Sequence, residues 1–385
     1  MTLAVQSLTS MAVLTPTVLA PVAAGEIGVQ ASRIGMLVSW IYLVAIVAGL
    51  VCDGLIARYG PVRVLELAVV LVAAGLAAAW GGNLAVVLLL ATCAGAAHGL
   101  VNPSSSTILL YASPPGYRSL IFSIKQTGVP LGGALAGLII PALLHVMSWR
   151  YAVLALGAAT TLGLVAIAPF RRVYDRERDS RRRIRLSAIG APIATVWSHP
   201  GLRSLALASA VYSSVQTSLF TYLMLYLIVE LDYSLVTAGV VFSVAQVMGI
   251  VSRPVWGVIA DRLQVARQLL SALGIVMGLC GVAAASFTLA TPAAFIVAVC
   301  AVYGASAVGW NGVYLAEIAR LAPQGKVGLI TGGAMLFTFT GALTGPPVFG
   351  AIIALTGSYG IGFALFALPP FALALRLAFP ARPAP

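Results

Sequence analysis

The sequence predicts an all-α integral membrane protein whose twelve transmembrane helices form two pseudo-symmetric six-helix bundles. Of its 385 residues, 61% are hydrophobic and only 8% are charged, whereas a soluble domain carries roughly a quarter charged residues. The apolar runs at 67–80 and 84–100 are long and do not alternate in polarity, so they favour helices over barrel strands of about 10 residues. One long hydrophilic stretch, at 171–185, lies near the middle of the chain.

The composition excludes soluble enzymes, nucleic-acid-binding domains and disordered proteins. The net charge of +12 does not indicate nucleic acid, because the cations lie mostly in short loops and eight arginines lie between Arg171 and Arg185. Loop cations set the orientation of membrane proteins, and we expect this arginine segment to contact anionic lipid headgroups. The four cysteines are far apart in apolar segments, so neither a metal site nor a disulfide is indicated.

Apolar stretches separated by Gly, Pro and charged residues predict the spans. They lie at about 3–24, 34–57, 64–82, 84–110, 119–144, 150–170, 203–228, 236–259, 268–288, 292–317, 327–354 and 358–375. No Lys or Arg precedes the first run, so we interpret it as a span and not as a signal peptide.

The spans predict a domain organisation and an orientation. The domains are an N-terminal bundle at 1–170, a cytoplasmic linker with an interfacial segment at 171–202, and a C-terminal bundle at 203–385. With both termini in the cytoplasm, Arg33 and Arg150 are the only cations outside, as the positive-inside rule requires.

The two halves of the chain look like a repeat offset by a little over 200 residues. Gly35 in span 2 corresponds to Gly239 in span 8, and the segment 54–58 corresponds to 257–262. Two six-helix repeats around a central pathway are typical of transporters.

At these loops the chain resembles the major facilitator superfamily, whose loop after helix 2, repeated after helix 8, reads roughly G-x-x-x-D-R-x-G-x-x-R. Gly257, Asp261 and Arg262 match the second copy, in which Gln264 replaces the later Gly.

The first copy is one residue short. It has Gly54, Arg58, Gly60 and Arg63 but lacks the Asp, for which Asp53 is a possible replacement.

Other segments extend the resemblance over the whole chain. Residues 95–103 resemble helix 4 of the family, and 341–350 resemble a Gly-Pro motif of antiporter helix 5. Residues 123–133 and 309–312 are similar to a bacterial subgroup of cyanate or nitroimidazole-type permeases. The resemblance implies that helices 1, 4, 7 and 10 line a cavity and that helices 5 and 8 are neighbours.

Two cations lie at membrane depth, where a charge is a functional hypothesis by default. Lys125 lies roughly 10 Å into span 5 and Arg253 roughly 12 Å into span 8, at 1.5 Å per residue. Each could bind an anionic substrate, Arg253 through a bidentate fork. Lys125 could instead snorkel to the headgroups, and Arg253 could pair with helix carbonyls or with Asp53. The resemblance to oxalate and monocarboxylate transporters, which carry a binding Arg in helix 8, favours the anion site.

Polar and aromatic residues of the spans complete the predicted binding site, although each could also serve packing. They are His98, Asn102, Gln216, Tyr222, Tyr303, Trp310 and Asn311. The predicted gating residues are Asp53, Arg58, Arg63, Gly257, Asp261 and Arg262. His98 has a titratable ring that could carry a proton, as could Asp53.

These observations predict a secondary transporter that moves a small organic anion by alternating access in a bacterial inner membrane. It needs no cofactor or metal and is expected to be a monomer. No Walker loop, metal cluster or nucleophile motif indicates an enzyme. The alternative is a proton-coupled multidrug or cationic-solute exporter, which requires a buried carboxylate that span 1 lacks. The coupling ion stays open.

Overall fold

A computed structural model describes residues 1–112, 121, 124–175, 190–322 and 327–378. These residues form α-helices and short connections without any strand. Twelve helices are long and apolar enough to cross a membrane, which confirms the predicted fold class. Residues 176–189, which include most of the arginine-rich segment, lie outside what the structure describes, as do Lys326 and the Asp53 side chain.

The first six spanning helices alternate with short connections. They are α1 (Thr2–Ile27), α2 (Ile34–Tyr59), α3 (Pro61–Ala79), α4 (Leu84–Ala112), α5 (Gly128–Leu144) and α6 (Trp149–Ile167). A helical turn at 124–126 precedes α5, and the two together make the fifth span.

The second six are longer on average and begin after the linker. They are α7 (Pro200–Val229), α8 (Leu235–Leu263), α9 (Ala266–Ala285), α10 (Ala293–Leu321), α11 (Val327–Thr356) and α12 (Tyr359–Ala378). Within the predicted linker, two short helices are described, Arg171–Tyr174 and Gly190–Ser198.

The chain forms two compact units, Met1–Ser187 and Ala188–Pro385. The same helix pairs pack in each unit. In the first, α1 packs on α5, α2 on α4, and α3 on both α4 and α6. In the second, α7 packs on α11, α8 on α10, and α9 on both α10 and α12. The units therefore repeat one packing scheme at an offset of six helices, as two homologous repeats would.

Glycines allow the closest of these helix contacts. A Cβ atom on Gly132 of α5 would collide with the Ser7 carbonyl oxygen of α1, and one on Gly341 of α11 with the Ala210 carbonyl oxygen of α7. Small residues let membrane helices approach backbone to backbone, where lipid provides no hydrophobic drive for packing.

The first helix of each unit is the most enclosed by protein. In α1, 78% of the spanning window is buried, and in α7 83%, against 28% in α2. These two helices also carry many hydroxyl and amide side chains, since protein and not lipid surrounds them. Polar residues in the spans are thus concentrated where the bundle interior can accept them.

Candidate functional site

Lys125 belongs to the first unit, and its side chain is only 3% exposed. It sits on the helical turn that precedes α5, and the turn ends at Thr127. The next residue, Gly128, packs on α1, where an added Cβ would lie 2.9 Å from Gln6. The close approach of these two elements therefore holds Lys125 inside the bundle.

The ammonium of Lys125 donates a hydrogen bond to Oδ1 of Asn102 on α4. Asn102 is half-buried and precedes Pro103, which cannot donate a backbone hydrogen bond within the helix. In the part of the chain that the structure describes, the salt bridges involve no acidic partner of Lys125. A cation is thus buried against a neutral amide.

His98 lies one helical turn before Asn102 on the same face of α4 and is buried. Its ring meets that of Tyr42 on α2 edge to face, with centroids 5.8 Å apart. Its Nδ1 atom is buried without a hydrogen-bond partner among the described residues. Lys125 also acts electrostatically on this ring. The first unit therefore places three of the predicted binding residues, Lys125, Asn102 and His98, in one cluster.

The second unit brings together Gln216 of α7 with Trp310 and Asn311 of α10. Oε1 of Gln216 accepts from Trp310 Nε1 at 3.3 Å and from Asn311 Nδ2 at 3.4 Å. Trp310 is fully buried and also packs edge to face on Tyr212, at 5.7 Å between centroids. Three predicted residues thus form a second polar cluster.

Tyr222 and Tyr303 are engaged elsewhere in the same unit. The Tyr222 hydroxyl donates to the Pro346 carbonyl oxygen at 3.0 Å, and its ring stacks on Phe349 at 4.8 Å. Tyr303 is buried and meets Phe363 of α12 edge to face. These contacts of both tyrosines are packing contacts with α11 and α12.

Arg253 is half-buried on α8. Its Nε donates to the Val308 carbonyl oxygen of α10 at 3.1 Å, which is the helix-carbonyl pairing considered above as the structural alternative. A guanidinium has five N–H donors, and this bond uses one of them.

The first copy of the loop motif is built around Gly60. Its backbone is left-handed, with φ 93° and ψ 152°, and a Cβ atom there would collide with Asp175. Asp175, at the end of the helix Arg171–Tyr174, accepts backbone N–H donors from Val62 at 2.8 Å and from Arg63 at 3.2 Å. It thereby caps the N-terminus of α3, where free N–H groups and the helix dipole favour a negative charge.

The Asp175 side chain is buried, and this burial raises the pKa of its carboxyl group, whereas the two backbone hydrogen bonds partly oppose the rise. Of the predicted gating residues in this loop, the Arg63 side chain is exposed and Arg58 is half-buried, over the Tyr59 ring at 5.4 Å. Gly54 is half-buried on α2.

The second copy of the motif ends α8. Asp261 and Arg262 are exposed, and a Cβ on Gly257 would meet open space. Gln264, which replaces the Gly of the motif, adopts φ 55° and ψ 36° and donates from Nε2 to the Asp261 carbonyl oxygen at 2.7 Å. A non-glycine residue thus takes the left-handed conformation that usually ends a helix at Gly.

Sequence reasoning missed the partners of several ionised groups. Glu66 of α3 is buried and pairs with Arg171 at 2.6 Å. At the end of α1, Glu26 pairs with Arg150 of α6 at 3.0 Å and accepts a hydrogen bond from the Trp149 indole at 3.0 Å. For Glu66, the sequence did offer one signal of an ion pair, because this acidic residue lies within the first two turns of a predicted span.

Comparisons with known proteins agree with this architecture. A family model described as Major Facilitator Superfamily matches residues 2–346. No curated protein matches the chain.

Solved structures share the fold at low identity. A peptide transporter POT in complex with sulfate is 17% identical with a TM-score of 0.76, over 98% of this chain and 92% of that one. A POT family transporter in complex with 5-aminolevulinic acid is 13% identical with a TM-score of 0.78, over 98% and 94%. A bacterial homologue of the human lysosomal transporter Spinster is 15% identical with a TM-score of 0.69, over 98% and 93%.

Proposed function

The chain belongs to the major facilitator superfamily, and from this premise we propose that it is a secondary transporter of a small organic anion, with a carboxylate as the expected class. Alternating access would expose the anion site to each side of the membrane in turn. We place the protein in a bacterial inner membrane, as a monomer with both termini in the cytoplasm and with Arg171–Arg185 against anionic headgroups.

The observation that carries the proposal is the environment of Lys125. An ammonium has three N–H donors, and its described hydrogen bond is the one to Asn102. A charge at membrane depth costs at least about 2.5–3.5 kcal/mol, and a neutral amide offsets little of this. A carboxylate would supply both the missing charge and acceptors for the other donors. Snorkelling is disfavoured, because the side chain is buried and not extended to an exposed surface.

The other predicted binding residues stay candidates under this proposal, each within its own unit. Arg253 of the second unit would provide a second cation. The Gln216 cluster, with Trp310 and Asn311, would offer amide donors and an aromatic surface. Tyr222 and Tyr303 are the weakest candidates, since both are held by packing contacts.

The cation-exporter alternative has less support. It needs a buried carboxylate without a partner. Among the described residues, the buried acids Glu66 and Glu317 are paired with Arg171 and Arg320, and buried Asp175 accepts two backbone N–H groups. Its antiporter-like segment, 341–350, supplies glycines at which α11 meets the backbone of α7. That segment is therefore accounted for by helix packing.

Thermal unfolding of the detergent-purified protein tests the proposal. The panel contains formate, acetate, pyruvate, oxalate and malonate, together with inorganic anions, amines and hydrophobic cations. A ligand at 100 times its dissociation constant adds about 2.7 kcal/mol of stability. Stabilisation by a carboxylate supports the proposal, whereas stabilisation by cations alone favours the exporter.

Two variants test whether anion binding depends on the predicted cations. Lys125→Met and Arg253→Met remove a cation while keeping an apolar stem, and we expect both to fold and to lose transport. Loss of a charge-assisted hydrogen bond costs about 1.5–3 kcal/mol, so binding should weaken about 10- to 150-fold. Arg33→Met, which removes an exposed cation, is the matched control. Normal uptake by both site variants would exclude the anion site.

A further inference from the structure

Lys125 has a property that anion binding alone does not use. An amine in a protein interior can release its proton, whereas a guanidinium stays charged. We propose that Lys125 is a proton carrier, protonated while the anion is bound and neutral when the site is empty, so that one proton crosses with each anion. This inference rests on the proposed function, because the anion is what holds the proton in place.

The burial of Lys125 supports this cycle. With the site empty, the charge has no acidic partner among the described residues, and buried ionisable groups in that position neutralise instead of staying charged. The Asn102 oxygen can accept a hydrogen bond from an ammonium or, more weakly, from a neutral amine, so the observed bond fits both states. Loss of the proton therefore leaves the side chain in place and removes only its charge.

The described groups around Lys125 impose a limit of one charge. His98, on the same face of α4 as Asn102, is the titratable group that interacts with it. Tyr42 of α2 packs edge to face on that ring. A protonated His98 would repel a protonated Lys125 in this buried site, so only one of the two can carry the positive charge.

The step balances in charge and in atoms. When the anion departs, one Nζ–H bond breaks, the electron pair stays on nitrogen, and the proton passes to water on the open side. A monoanion and a proton then cross together without net charge, and a dianion crosses with a net charge of −1. The empty transporter returns with Lys125 neutral.

Proton uptake on binding tests this inference. The carboxylate of the panel that raises the melting temperature most is titrated into weakly buffered, detergent-purified protein, while a pH indicator dye records protons. We expect up to about one proton taken up per anion bound, and affinity that falls up to tenfold per pH unit on the alkaline side, as linkage to one proton requires. The pH dependence of the affinity is measured on the wild-type protein alone, so this test remains valid even if a variant does not fold.

The variants assign the proton to a residue. Lys125→Arg keeps the charge, and we expect it to bind the same carboxylate without proton uptake and with flat pH dependence. In His98→Gln and Asp53→Asn, the number of protons taken up per anion bound should be retained even where the affinity falls, because neither side chain carries the proton. Binding by the wild type without uptake at any pH overturns the proton-carrier role but leaves the anion site intact. Uptake that persists in Lys125→Arg and disappears in His98→Gln or Asp53→Asn also overturns it. If no carboxylate binds, both proposals fail.

Discussion

Replacing Asp175 by alanine removes the cap of α3. In the structure its two carboxylate oxygens accept the backbone N–H groups of Val62 and Arg63, at 2.8 and 3.2 Å. These are among the first donors of the helix, which have no acceptor within it. The variant leaves both without an acceptor and opens a space beside Gly60.

The expected loss of stability follows from these contacts. Removing a capping acceptor costs about 0.5–2 kcal/mol, and relief from the burial of the carboxylate offsets part of that. We therefore expect a net loss of about 0.5–1.5 kcal/mol for the first unit, in the lower part of that range. For a unit of this length, each kcal/mol lowers the melting temperature by roughly 2–4 °C, so the shift should be about 1–6 °C.

Thermal unfolding in detergent measures the shift, with Asp261→Ala as the control because it removes an exposed acid. A change no larger than that of the control would refute the capping role.

The pH dependence of Asp175→Asn supplies a second test with a defined sign. Burial holds the pKa of Asp175 above its usual range, so the folded state binds a proton more readily than the unfolded state. The stability that this proton contributes is fully present below the pKa of Asp175 in the unfolded state. It is lost as the pH rises through the pKa of Asp175 in the folded state. The wild type should therefore gain stability relative to the Asn variant as the pH falls through this interval. A relative loss would show that the hydrogen bonds outweigh burial.

Three further predictions concern packing and charge. Gln264→Gly should stabilise the protein by about 0.5–1 kcal/mol in thermal unfolding, because glycine adopts the left-handed conformation without steric cost. Gly304→Ala should destabilise by about 1–3 kcal/mol, because the new Cβ meets the α8 backbone; Gly312→Ala on the same helix, with open space, should change little. Arg171→Ala should destabilise by up to about 3 kcal/mol by leaving a buried carboxylate unpaired. Adding Glu66→Gln should recover most of that loss, and failure of this rescue would argue against the pair.

Much of the architecture could be predicted from hydropathy and loop charge. The twelve spans follow from runs of apolar residues long enough to cross a bilayer, and the family follows from the loop motif. The depth of Lys125 follows from a simple rise per residue and stays a prediction, while the structure shows that its side chain is buried in protein. These features depend on local sequence, which is why a single sequence predicts them.

Contacts between distant segments were not predictable in the same way. Asp175 lies 113 residues from Val62, and nothing in the local sequence of either indicates the other. The rotation of each helix about its axis was also undetermined, because most spans are apolar around their whole circumference. Tyr222 and Tyr303 lie at suitable positions in their spans, but their rings face α11 and α12. Only the packed bundle determines which mid-span aromatic residues face a polar cluster.

The enclosure of α7 by protein has a consequence for biosynthesis. Its mean hydropathy of 1.2 is well below the 2.4 of the second span, because Gln216 and several hydroxyl residues face neighbouring helices. A nascent α7 that enters the bilayer alone exposes those groups to lipid, and its partition from the translocon is weakly favourable. Its main partner, α11, is synthesised more than 100 residues later. We therefore expect α7 to remain beside the translocon or a chaperone until α11 arrives, so that the second unit assembles as a whole and not helix by helix.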